Sequence, residues 1–226
     1  MGLHLYCVTA ANIAPPAGLC GVDGAPIRAV PLDGVSVWAS AADAAPRASV
    51  EGVRAHHTVV EAAMDAATPV PLRFGQWLAD EAALRAATAH RVADWAEELR
   101  TLAGTAEYGV RVLDPRLPPA ARDVRPAAGV SGRAYLEALA GRDAERARRT
   151  AAGTAVATAL DDQLGTLVRR TRTEPLATAP GLVSIAHLVV RSDEAAYRAA
   201  LSDAAQRFAE LRLMPSGPWP PYSFVD

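Results

Sequence analysis

The run Leu182-Val183-Ser184-Ile185-Ala186-His187-Leu188-Val189-Val190 is apolar at odd and even positions alike, and that decides how the second half of the chain folds. A strand with one wet face alternates apolar and polar residues, whereas one covered on both faces does not. This run is read as a central strand, so the segments on either side must supply its neighbours and covers. Downstream, Ser192, Asp193 and Glu194 open a helix with acid at its N-terminal end, as the helix dipole prefers, and with Tyr197, Leu201, Ala204, Phe208 and Leu211 on one face. Leu211 to Met214 is short enough for a last strand. Upstream, Ser131 is a candidate N-cap ahead of Tyr135 and Leu139. Val156, Leu160, Leu164 and Leu167 then recur at helical spacing, giving one long helix or a broken pair with Gly141 and Gly153 as its weak points. Glu107 to Leu113 reads as a strand. From Glu107 onward the order is strand, long helix, strand, helix, strand, the outline of a ferredoxin-like α/β sandwich with one strand unclear.

The first half reads as three strands, a helix, a strand and a helix. Leu3, Leu5 and Cys7 alternate with His4, Tyr6 and Val8. Ile27 to Pro31 and Val35 to Ala39 flank Asp33-Gly34, a strong hairpin signal. Val50, Val53, His57, Val60, Met64 and Ala67 trace one helical stripe that Pro69 and Pro71 end. Val70 to Gly75 is expected as a strand. From Asp80, a candidate N-cap, Leu84, Thr88, Val92, Trp95, Leu99 and Leu102 line a further helix, which Gly104 stops. Both halves are α+β. The Pro- and Arg-rich piece Asp114 to Pro126 is the natural linker, so two domains are expected, 1–104 and 105–226, with the boundary between 104 and 130.

Composition bounds the function. The 226 residues are 50% hydrophobic and 21% charged, with a formal net charge of −2, so a sizeable core is affordable and no global field draws DNA or an anionic membrane. Every basic residue besides histidine is Arg. Cys7 and Cys20 match neither a redox pair nor a zinc spacing, which fits a reducing cytoplasm. The N-terminus has no basic leader and no apolar run approaches the ~20 residues of a membrane span, so a soluble, unprocessed protein is expected.

The chemical candidates are weak one by one. Gly18-Leu-Cys-Gly21-Val-Asp-Gly24 is read as a plain glycine loop, because a dinucleotide site needs a helix directly after it. His56 and His57, about 100° apart on a helix, cannot share a metal easily; one is expected in the core and one outside. His187 near Ser184 lacks a nucleophile elbow and is read as a hydrogen-bonded core histidine. Arg142 to Arg149, with Arg169, Arg170 and Arg172, is read as a solvated helix face, since Asp143, Glu145, Asp161 and Asp162 interrupt it and no aromatics are interleaved. Arg73 in Pro71-Leu-Arg-Phe-Gly75 stands in an apolar strand, so a carboxylate partner is expected, Glu107 first. The terminal Gly217-Pro-Trp-Pro-Pro-Tyr-Ser-Phe-Val225 cannot extend a helix or sit centrally in a sheet. Trp219, Tyr222 and Phe224 then either plug the protein's own core, the preferred reading, or face a partner.

Together Gly18-Leu-Cys-Gly21, His56 with Val59-Val60-Glu61, Pro71-Leu-Arg-Phe-Gly75, Glu107 with Gly109-Val-Arg-Val112, Gly132-Arg-Ala-Tyr-Leu136, and Gly217-Pro-Trp-Pro-Pro-Tyr222 with Phe224 resemble the GvpL/GvpF family of gas vesicle proteins, in that order and over essentially the whole chain. His57 stands where the family usually has an acidic residue and Gln76 where Thr is common; neither touches the strongest motifs. The resemblance implies a two-domain α+β accessory protein of gas vesicles, with a modified ferredoxin-like C-terminal domain and a Pro-rich aromatic tail. It further implies no enzyme activity and no cofactor, a cytoplasmic and vesicle-associated location, and binding to the small hydrophobic GvpA-like shell subunit and to other accessory proteins. Arg73, Phe74, Glu107, Trp219, Tyr222 and Phe224 are the motif residues that would carry partner binding. Neither nucleic acid nor membrane is an expected partner, and a monomer is the expected state. On the residues alone two other classes stay open: a small-molecule enzyme or sensor, which would need a deep polar pocket, and an adaptor whose Pro-rich tail is read by an aromatic groove.

Overall fold

A computed structural model describes residues 2–117, 132–176 and 180–225, which form two compact units: 2–107 with 218–225, and 108–217. The Ser131 cap and most of the linker lie outside the described residues.

In the first unit, β1 (Leu3–Ala10) lies inside a sheet ordered β2-β3-β1-β4, where β2 is Ile27–Pro31, β3 Val35–Ala41 and β4 Val70–Pro71; the short β5 (Trp77–Leu78) also pairs with β1. The hairpin forms at Asp33-Gly34, with Gly34 at φ +80°, a conformation that glycine adopts without a Cβ clash. Between Leu5 and Cys7 the β1–β3 register slips, and Tyr6 has no residue opposite it. This bulge lets Tyr6 and Cys7 both join the cluster under α1 (Val50–Ala66), with Trp38, Val59, Val60 and Ala63. β1 is thus buried on both faces, polar His4 included.

Four details differ from the sequence expectation. The strand expected at Val70–Gly75 keeps only two residues, and the helix expected from Asp80 is two, α2 (Glu81–Thr88) and α3 (Val92–Leu102). Asp80 does cap α2 through Ala83 N–H. In α1 the buried residues are Gly52, His56, Val59, Val60, Ala63 and Met64, leaving Val50 and Val53 of the apolar stripe in solvent. The fourth is an added strand: Arg169, Arg170 and Arg172 lie not on a helix but on β7 (Val168–Pro175). Its charged side chains hide the period-two signal, and only pairing with β8 (Gly181–Val190) defines it.

The second unit runs β6 (Thr105–Leu113), α4 (Gly132–Leu164), β7, β8, α5 (Glu194–Arg207) and β9 (Arg212–Trp219), with sheet order β7-β8-β6-β9. The apolar run Leu182 to Val190 lies on β8, an inner strand as its composition requires. α4 is one helix; at Gly153 it approaches β8 so closely that an added Cβ would meet the Leu182 carbonyl at 3.0 Å. The prolines at 215 and 218 fall on β9, an edge strand, where a missing N–H can be tolerated. Residues 218–225 rejoin the first unit, although the sequence reading gave the tail to the second domain.

Candidate functional site

The first unit gathers three of the six candidate residues around α1. Glu107 does not pair with Arg73. Its carboxylate accepts from the Ser223 backbone N–H at 2.7 Å and from the Ser223 hydroxyl at 2.8 Å. Burial raises the Glu107 pKa, and the Ser223 bonds pull it back only in part. Arg73 is exposed, in the turn after β4, so the expected ion pair is replaced by solvent: the strand that would have buried it ends at Pro71. Its neighbour Phe74 turns inward, with ring centroids 5.5 Å from His4 and 5.7 Å from His56.

The tail folds back over this cluster. Pro220, Pro221 and Phe224 are buried, and Tyr222 packs on the α1 core, its phenol pKa raised by burial. His57 takes up the tail's aromatic rings, with centroids 5.4 Å from Trp219 and 6.0 Å from Tyr222, and its Nε2 lies 3.3 Å from Glu61. Trp219 itself stays 37% exposed. The tail is docked by its prolines, Tyr222 and Phe224, while Trp219 is its outward-facing ring. On the same side of α1, Val53 and Val50 lie one and two turns before His57 and are 46% and 72% exposed. Sequence reasoning found the stripe but missed that its N-terminal end is left uncovered.

Behind α1 sits a buried imidazole pair. His56 Nε2 is 2.9 Å from the Leu72 carbonyl, which can only accept, so that nitrogen carries the proton and Nδ1 the lone pair. His4 Nε2, 3.1 Å away, must therefore donate to His56 Nδ1, and His4 Nδ1 is left with no partner. Burial disfavours the charged form of both rings. Burial, with the neighbouring His56 second, lowers the His4 pKa to about 4, and burial lowers that of His56. Tyr6 stacks on His56 and fixes the surrounding chain by bonding Ser40 and the Val22 N–H. A cleft of about 730 Å³ opens beside His4, bounded by the Gly21–Gly24 turn and the start of α1. Its charged lining is Asp23, Asp43, Glu51 and Arg47, mixed in sign.

In the second unit His187 is fully buried. Its Nδ1 meets the Tyr197 hydroxyl at 2.9 Å and its Nε2 faces Asp161 at 3.1 Å. Burial lowers its pKa against the opposing pull of Asp161. This is the hydrogen-bonded core histidine read from the sequence, and it ties β8 to α5 and α4.

The family model described as gas vesicle synthesis protein GvpL/GvpF matches residues 2–226. The chain therefore belongs, among gas vesicle proteins, to the GvpL/GvpF family. Gas vesicle protein L1 of Halobacterium salinarum is 27% identical over 99% of this chain and 90% of its own length. Gas vesicle protein F1 of the same organism is 25% identical over 80% of this chain and 72% of its own. The crystal structure of GvpF from Anabaena superposes with a TM-score of 0.78 at 21% identity, covering 100% of this chain and 96% of that one. GvpF from Microcystis aeruginosa gives 0.75 at 22%, covering 100% and 99%. The mixed α+β architecture is thus GvpF-like, and the family is one of gas vesicle formation rather than a known enzyme family. Among the described residues no helix is long and apolar enough to cross a membrane.

Proposed function

We propose that this protein is a non-enzymatic accessory factor of gas vesicle formation that binds the hydrophobic GvpA-like shell subunit, as an assembly factor or minor shell component. The observation that carries the reading is the row of Val50, Val53 and Trp219 around His57, large apolar side chains in solvent on the face where the tail docks. An apolar shell subunit would aggregate before assembly, and a factor that covers its surface keeps it competent. Family membership supports the process, and the second unit supports a modified ferredoxin-like fold through its β-α-β-β-α-β order. The protein works as a cytoplasmic, vesicle-associated monomer.

Co-purification with the shell subunit tests this. Association should persist as salt rises, because a net charge of −2 contributes little steering, and should weaken in a Val53→Asp, Trp219→Ala variant that stays folded. Absence of association at any ionic strength, with normal vesicles in a deletion strain, would overturn it.

A further inference from the structure

The second unit carries a feature that shell-subunit binding does not use. β7 is an outer strand of its sheet, and among the described residues no strand pairs with its other edge. Such an edge presents every second backbone N–H and C=O to solvent. Thr171 lies opposite His187, whose ring meets Tyr197 of α5, so Thr171 faces the helices, and its hydroxyl donates to Asp161 of α4 at 2.9 Å. By alternation Arg170, Arg172 and Glu174 face the other side of the sheet. Arg111 of β6 is on that side too, because its neighbours Val110 and Val112 are buried and Tyr108 packs its ring on Tyr197. Arg169, at the register slip, is exposed.

Arg111, Arg169 and Arg172 are exposed and make no ion pair among the described residues. Glu174 is the one carboxylate on the strand. This local excess of guanidinium stands on a protein whose formal net charge is −2, so it does not follow from overall composition.

We propose that the β7 edge is a docking site for an acidic, extended segment of a partner protein, which adds to the sheet as a further strand. Main-chain hydrogen bonds to the free edge supply the pairing, and Arg169 and Arg172 on β7 itself select carboxylates on the incoming strand. A single-stranded nucleic acid would share the charge preference, but no aromatic ring stands on β7 for a base to stack on. Charged edges also protect sheets from aggregation, and that role needs charge of either sign. Selection of acidic strands needs cations, which on this lysine-free chain are guanidinium groups.

The full chain is titrated with a labelled peptide of about ten residues alternating Glu and Thr, with the same peptide N-methylated at alternate amides, and with oligothymidylate. Expected are saturable binding of the first peptide, slower hydrogen exchange in residues 168–175, and loss of binding on N-methylation. R169E/R172E should lower affinity about tenfold or more, and R169Q/R172Q should do so partially, with circular dichroism unchanged in both. Equal binding of the N-methylated peptide, insensitivity to both double variants, tighter binding of oligothymidylate, or no binding at all would each overturn the proposal. None of these outcomes bears on association with the shell subunit, which engages the other unit.

Discussion

Acidification should destabilise the first unit through the His4–His56 pair. His4 is 1% exposed, and its pKa falls from an ordinary 6.5 to about 4 because burial penalises the imidazolium. The unfolded chain therefore binds more protons than the folded one in that interval, so stability rises with pH there. The contribution is complete above 6.5 and is lost as pH falls toward 4. At about 1.4 kcal/mol for each pH unit, and with half the folded population protonated at the lower end, His4 alone accounts for about 3 kcal/mol between pH 7.5 and 4. Among the described residues no carboxylate touches either ring to hold the charge, and His4 Nδ1, unpartnered there, is where a proton must arrive. The assay is urea unfolding from pH 4 to 7.5 for the natural chain and for His4→Gln. The variant will be less stable throughout; the prediction concerns the slope, which it should flatten by about 3 kcal/mol over the interval. Parallel pH curves for the two proteins would refute the reasoning; His187, which touches neither ring, titrates in both and cancels in the difference.

The tail should separate by residue: Phe224→Ala, emptying a site where the ring is 4% exposed, should cost about 3–5 kcal/mol in denaturant unfolding, whereas Trp219→Ala should cost under about 1 kcal/mol and affect partner binding instead. Glu107→Ala should cost about 1–3 kcal/mol by leaving the Ser223 N–H and hydroxyl unpaired. The Glu107 carboxyl, followed by NMR, should titrate above 4.5; because this pKa is raised, its contribution falls as pH rises through that region, opposite in sign to His4. Gly21→Ala should cost about 1–3 kcal/mol, because the new methyl would overlap the Tyr6 hydroxyl that bonds Val22 and Ser40. Arg73→Ala, exposed and without an ion pair among the described residues, should change the unfolding midpoint by no more than about 0.5 kcal/mol equivalent.

Local chemistry made much of this protein legible in advance. Asp33-Gly34 specifies a hairpin, Asp80 caps a helix, and an all-apolar run becomes an inner strand, because each signal acts over a few neighbouring residues or by burial of one face. The motifs from Pro71 to Gly75 and from Gly217 to Phe224 carried the family, though not what those residues touch. Contacts between distant parts of the chain decided the rest. Arg73 looked committed to a partner only while Val70–Gly75 was read as a strand; the strand ends after two residues, and Glu107 is left for Ser223, 116 positions away. Helical spacing named an apolar stripe on α1, but the sheet beneath took the face about a fifth of a turn away, centred on His56, and left Val50 and Val53 outside. β7 was invisible because arginines on an exposed edge have no apolar alternation to show; hydrogen bonds from β8 make it a strand. Spacing along a chain reports which residues share a face, and only packing against the other elements decides whether that face is covered.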